Sequence, residues 1–157
     1  MNQTILPAPV RRSLSVKAAP ARAFETFTAR IAAWWPATHS INKGTTMTGI
    51  VIEPRAGGRW YERGADGSEC QWGRVLVWEP PQRLVLAWQI DASWRFNPDF
   101  VTEVEVRFLP DGAATRVEFE HRKLERFGEE AEKVRGQIDS AGGWTKLLDL
   151  YAAAASA

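Results

Sequence analysis

The chain is poor in the residues that build metal and redox centres: one cysteine, Cys70, two histidines, His39 and His121, and two methionines. A lone thiol excludes an internal disulfide framework and a cysteine metal cluster, and it fits a reducing compartment, so a cytoplasmic location is expected. Cys70 itself reads as a small buried strand residue. Two histidines 82 positions apart, with no H-E-x-x-H pattern, give no metal site, and no cofactor is expected. Phosphate-cradling loops are missing too. The "GADG" stretch at 64–67 lacks the glycine-lysine ending of a P-loop, and "GGRW" at 57–60 reads as a strand entry. No nucleophile elbow appears, and Ser40 beside His39 lacks the geometry of a nucleophile and its base.

A surplus of one charge sign is also absent. Lys plus Arg number 20 against 19 Asp plus Glu, which removes the attraction that non-specific nucleic-acid binding needs, so no nucleic-acid partner is expected. No apolar run approaches the roughly 20 residues of a membrane helix. The start, "MNQTILPAPVRR", has no basic stretch followed by an apolar one. No membrane insertion is expected. With no repeat, linker or low-complexity tract, residues 1–157 are expected to form one domain, its ordered core about 10–152.

What the chain has in excess is tryptophan: eight, at 34, 35, 60, 72, 78, 88, 94 and 144. Each buries roughly 150–250 Å² and seeks a partner for its indole N–H. Either the core is unusually aromatic, or several rings face a space that something else fills.

Periodicity sets the element order. Val10, Leu14 and Val16 share one parity of a first strand. Pro20 suits a first helical turn, and Phe24, Phe27, Ile31 and Trp34 recur at helical spacing, which predicts a helix of about 14 residues ended by Pro36. "ATHSINKGTT" reads as a loop. From residue 48 the period becomes two, and six strand-like segments follow, separated by turn chemistry such as Gly57-Gly58, Pro80-Pro81 and Asp111-Gly112. Links this short suit antiparallel neighbours. In the longer link, Trp94, Phe96 and Phe100 are expected to fold back over one end of the sheet. From about Glu129 to Ala155 the helical period returns, with Val134, Ile138, Ala141, Trp144 or Thr145, Leu148 and Tyr151, predicting one long closing helix. The fold class is therefore α+β, a curved antiparallel sheet covered on one face by a C-terminal helix.

Parity places Leu84, Leu86, Trp88 and Ile90 inward, with Val104, Val106 and Phe108, and with Val117, Phe119 and His121. Strand 70–78 is ambiguous; its inward set is read as Gly73, Val75 and Val77. Glycine inside a helix costs about 1 kcal/mol relative to alanine, so Ala141, Gly142 and Gly143 on the closing helix need a reason. Small residues there either let a compact sheet come close or leave room for a ligand beside aromatic rings.

Five stretches, "APARAFETFT" (19–28), "WWP" (34–36), "GGRW" (57–60), "GRVLVWEPPQRLVLAW" (73–88) and "GGWTKLLDL" (142–150), resemble in order and spacing the activator of heat-shock protein 90 ATPase homologue-like family of the START-like (SRPBCC) superfamily. The resemblance covers about residues 10–152. It implies a helix-grip fold: a seven-stranded curved antiparallel sheet wrapped around a long C-terminal helix, short helices after the first strand, and a hydrophobic cavity between sheet and helix.

The expected role is binding a small hydrophobic or aromatic molecule, with ligand contacts from Trp60, Trp88, Trp94, Phe96, Val104, Val106, Phe119, His121, Trp144 and Leu148. Enzymatic chemistry is left open: a cyclase, lyase or hydrolase acting on an aromatic or polyketide-like substrate is one alternative, a stress- or chaperone-associated interaction module another. His121 is the one weak catalytic candidate, since a free imidazole titrates near neutrality; the competing reading is a hydrogen-bonded histidine at the core edge. His39 is placed where it could rim the cavity mouth. Glu62 could point either way, and Arg59 and Arg63 could meet a ligand carboxylate or solvent. A homodimer is possible.

Overall fold

The computed structural model describes residues 7–157; the reading of residues 1–6 lies outside the described residues. Seven strands, β1 (Val10–Val16), β2 (Met47–Ile52), β3 (Arg59–Gly64), β4 (Glu69–Glu79), β5 (Arg83–Trp88), β6 (Thr102–Asp111) and β7 (Ala114–Arg122), form one sheet in the order β1-β7-β6-β5-β4-β3-β2. Every neighbouring pair is antiparallel. Strands β2 to β7 lie side by side in chain order: four of the five links are short and reach only an adjacent, reversed strand, and the longer one, 89–101, also joins neighbours. β1 returns to the far edge against β7, Val10 opposite His121 and Val16 opposite Thr115. The curved sheet carries α1 (Pro20–Phe27), α2 (Ala131–Ile138) and the closing helix α3 (Trp144–Ser156) on its apolar face. This is the helix-grip architecture.

Inward parity follows the alternation in β5, β6 and β7: Leu84, Leu86, Val104, Val106, Phe108, Val117 and Phe119 are all buried. On the opposite face Glu105 accepts from Arg83 (2.5 Å) and Arg122 (2.8 Å). Burial opposes ionisation of Glu105, but these arginines and Arg107 outweigh it and hold the carboxyl below its usual range.

Strand β4 corrects the parity expectation. Gly73 pairs with Trp60 and Trp88 and Val75 with Leu86, so both do face the core. A bulge opposite Trp60/Tyr61 brings Trp72 inward as well, and a second, between Val75 and Val77, puts Trp78 opposite Leu84 and leaves Val77 opposite Val85 on the outer side. Each bulge inserts one residue and so reverses the parity beyond it. Gly73 is needed at the first: a Cβ there would overlap the Ala87 carbonyl.

Two helix predictions are also corrected. The expected helix of about 14 residues stops at Phe27; Thr28 leaves helical geometry, its hydroxyl donating to the Phe24 carbonyl (2.8 Å), and the chain resumes as a 3-10 turn, Ile31–Ala33. The apolar face survives the break, since Phe24, Phe27, Ile31 and Trp34 are all buried. The expected continuous helix over 129–155 is in fact a 3-10 segment (Leu124–Glu130), α2 and α3, interrupted at residues 139–143. Gly142 and Gly143 therefore do not lie inside a helix. Gly143 precedes α3 with ψ −129°, outside helical space, and a side chain there would overlap the Ile138 carbonyl. Arg12 stabilises the break from β1: its guanidinium donates to Asp139 Oδ1 (2.6 Å) and Thr145 Oγ1 (3.1 Å). Ala141, expected against the sheet, is exposed.

Candidate functional site

The break between α2 and α3 opens a recess. Its cavity volume is about 380 Å³, within the usual range of small-molecule sites. One side is the helix break, with Ile138, Gly142, Gly143, Trp144 and Leu147; the floor is Trp72, Trp88 and Ile90 from β4, β5 and the residues just beyond β5. Trp35 and the following loop, with His39, Ser40 and Ile41, form the other side, and Trp94 stands at the mouth.

The recess lies at one end of the sheet because aromatic rings plug the rest. Tyr151, Phe27, Trp34 and Phe108 interlock at the opposite end, with centroid separations of 5.1–6.2 Å. Tyr151 donates its hydroxyl to the Ala23 carbonyl (2.8 Å), and burial raises its phenol above the ordinary range. In the middle Trp144 packs against Phe119, ring centroids 4.5 Å apart and tilted by 52°. Beyond Trp144, toward β4 and β5, the recess opens.

The indoles are tethered through their N–H groups. Trp35 donates to the His39 carbonyl (2.9 Å), Trp88 to the Ile90 carbonyl (3.0 Å), Trp72 to Glu62 Oε1 (2.9 Å) and Trp144 to His121 Nδ1 (3.2 Å). With these donors consumed, the four rings offer the cavity carbon and π surface. Its polar side chains are those of His39, Ser40, Gln137 and Ser140, and among the described residues no charged side chain is on its wall. The rings pack on one another at steep angles, Trp35 against Trp72 (5.1 Å, 48°) and Trp144 (5.9 Å, 80°), and together make an apolar aromatic wall with polar groups along one edge.

His121 is fully buried, and burial pushes its pKa down to about 3. Because an indole only donates, Nδ1 is the acceptor and the ring proton sits on Nε2, which donates to Thr102 Oγ1 at 2.8 Å. Thr102 in turn donates to the Trp88 carbonyl (3.4 Å). Both ring nitrogens are occupied and the ring lies off the cavity wall, so His121 holds Trp144 in place.

Of the residues expected to touch a ligand, Trp88, Trp94 and Trp144 line the cavity. Trp60 stands behind the wall, its ring 5.4–6.5 Å from those of Trp35, Trp72 and Trp88. Val104, Val106, Phe119, His121 and Leu148 are core residues off the wall, and Phe96 pairs with Ile90 in the 89–101 loop. Sequence reasoning missed Trp35, Trp72, Ser40, Ile41, Ile90, Gln137, Ile138, Ser140 and Leu147. For Trp72 there was a signal: the adjacent Gly73, since glycine inside a strand marks bulges.

Glu62 points inward and is buried, whereas Arg59 and Arg63 lie on the outer parity, one at each side of the Tyr61 ring, and pair with Glu69. Burial raises the Cys70 thiol pKa, reinforced by Glu62. Among the described residues no three His, Cys, Asp or Glu side chains are grouped to hold a metal, and no helix is long and apolar enough to cross a membrane.

A curved seven-stranded antiparallel sheet gripping a C-terminal helix, with an aromatic recess between them, defines a START-like protein. The chain matches the family described as Activator of Hsp90 ATPase homolog 1-like protein over residues 17–155, and it belongs to that family. Its fold is similar to that of an anthrahydroquino-gamma-pyrone synthase, Txn09, solved in complex with SUM: 42% identity over 92% of this chain and 95% of that one, TM-score 0.66. It is also similar to CalC from Micromonospora echinospora, a self-sacrificing resistance protein: 31% identity over 94% and 93% of the two chains, TM-score 0.68. A protein from Rhodobacter sphaeroides, 24% identical over 92% and 91%, shares the fold with TM-score 0.62. No curated protein matches the sequence.

Proposed function

We propose that the protein binds a flat, polycyclic aromatic molecule of the polyketide kind in the recess beside the α2–α3 break. The observation that carries this reading is the set of four tethered indoles, Trp35, Trp72, Trp88 and Trp144, around a cavity of about 380 Å³. Such walls reward ring area by stacking and burial. The likeness at 42% identity to a synthase named for a fused anthrahydroquinone-pyrone supports the same ligand class.

That likeness also favours a second reading, a ring-closing enzyme on the same ligand class. His39 is then the imidazole on the cavity wall: its Nε2 donates to the Gly142 carbonyl at 2.8 Å across the recess and its Nδ1 meets Thr38 Oγ1 at 3.2 Å, so proton transfer requires one of these contacts to open.

The test is a titration of intrinsic tryptophan fluorescence with dihydroxyanthraquinone. Saturable quenching, weakened in Trp72→Ala and Trp88→Ala, is expected; unsaturable quenching that both variants retain overturns the site. Chromatography of linear aromatic polyketide analogues incubated with the protein separates the two readings, since only an enzyme yields a cyclised product that His39→Ala diminishes.

A further inference from the structure

Glu62 is 1% exposed among the indoles. The other enclosed carboxylate, Glu105, has arginines on both oxygens, whereas among the described residues no cation lies within ion-pair distance of Glu62. Its Oε1 instead gathers three N–H groups: Ile41 N at 2.7 Å, Trp72 Nε1 at 2.9 Å and Asn42 N at 3.2 Å. Oε2 has no protein donor. A carboxylate withdrawn from water without a counter-ion is expensive unless its hydrogen bonds compensate, so what those three donors belong to matters. Two are consecutive backbone amides of the loop that supplies Ser40 and Ile41 to the cavity; the third is an indole of its floor. That loop precedes β2 and has no strand ladder there, so the carboxylate takes the place of a partner strand.

We infer that Glu62 is a positioning residue of the cavity: one carboxylate oxygen fastens the loop at Ile41-Asn42 to the Trp72 indole and so fixes the wall that Ile41 and Trp72 give the cavity. The ligand arm of this inference rests on the proposed function, while the fastening itself does not. Glutamine at position 62 keeps the acceptor but loses the charge that makes these hydrogen bonds roughly twice as strong as neutral ones; alanine removes the acceptor and frees all three donors.

The experiment is hydrogen exchange followed by NMR in the parent, E62Q and E62A, paired with dihydroxyanthraquinone titration. The indole N–H of Trp144, held by His121, is the internal reference. In E62A the Trp72 indole and the Ile41 and Asn42 amides are expected to exchange at least about tenfold faster relative to Trp144, and E62Q falls between. Probe affinity drops by at least about tenfold in E62A and stays within about threefold of the parent in E62Q. A Val117→Ala variant, destabilised in the β7 core away from the cavity, keeps both the exchange ratio and the affinity, which separates positioning from general loss of stability.

Unchanged relative exchange at the three sites in E62A overturns the inference, as does faster exchange with unaltered affinity, or the same selective loosening in V117A. If E62A does not fold, E62Q decides: a few-fold rise confined to the three sites supports the inference, and no rise overturns it. A parent that fails to bind the probe overturns the proposed function, and the exchange measurement still decides the fastening by Glu62.

Discussion

Trp144 donates its indole N–H to His121 Nδ1 over 3.2 Å, joining the first turn of α3 to the last strand. The imidazole passes the connection through Thr102 to the backbone of Trp88, so the Trp144 indole and the Trp88 carbonyl are held by one buried chain. Because burial pushes the His121 pKa to about 3, far below its unfolded value, the unfolded state binds the extra proton between those two values. Stability therefore falls as pH drops below about 6.5 and continues to fall toward 3. From pH 7 to pH 5 the expected loss from this group is about 2 kcal/mol. Urea unfolding at the two pH values checks this, and His121→Gln removes most of the difference. Nitrogen NMR should show the proton on Nε2.

The two adjacent glycines are expected to respond differently to alanine. A Cβ at Gly143 would sit 2.8 Å from the Gln137 carbonyl oxygen and closer still to that of Ile138, whereas one at Gly142 meets nothing within 4 Å. Gly143→Ala should destabilise by about 1–3 kcal/mol and weaken probe binding by shifting Trp144. Gly142→Ala should stay within about 0.5 kcal/mol. Thermal unfolding of both variants is the measurement.

Trp94 stands at the cavity mouth, 39% exposed and with φ of 60°, a backbone conformation unusual for a large side chain. Asp91 braces its turn, accepting from Ser93 N and Arg95 N. Trp94→Gly suits the positive φ and should hold or raise Tm. Loss of the ring should cost about 0.5–1.5 kcal/mol of probe binding, a few-fold to about tenfold in Kd. A glycine variant binding as tightly as the parent would remove Trp94 from the site.

Arg12 and Arg11 are neighbours on β1 with different expected effects. Arg12, half-buried, holds Asp139 and Thr145 across the helix break, while Arg11 meets Glu120 at 3.4 Å with most of its side chain in solvent. Arg12→Ala should destabilise by about 1–2 kcal/mol, and Arg11→Ala by well under about 0.5 kcal/mol. Denaturant midpoints in the two variants compare them directly.

Most of the sheet was legible because strands β5, β6 and β7 pair with one another without a bulge and turns elsewhere in the sheet carry glycine and proline. Strand β4 was not, since two bulges reverse its parity, and bulges depend on how neighbouring strands fit. Helical spacing in 129–155 identified buried residues such as Val134, Ile138 and Tyr151, yet it missed the break, because an apolar period persists across a kink that keeps the same face buried. Of the site, Trp88 and Trp144 were legible from parity and position, whereas Trp35 and Trp72 were not. Glu62 shows the limit well: strand parity left it facing either way, and its partners come from a loop twenty residues earlier and a strand ten residues later.

The order of strands in the chain, their all-antiparallel pairing and the abundance of indoles follow from the sequence alone, since turn chemistry, period and residue type are local properties; the family rests on the resemblance of five stretches and the match over residues 17–155. Tertiary structure alone decided which indoles face empty space and which fill it. That choice depends on how far Trp144 and Tyr151 reach across the curved sheet, and on where the closing segment breaks: distances between residues remote in the chain, which no local pattern encodes.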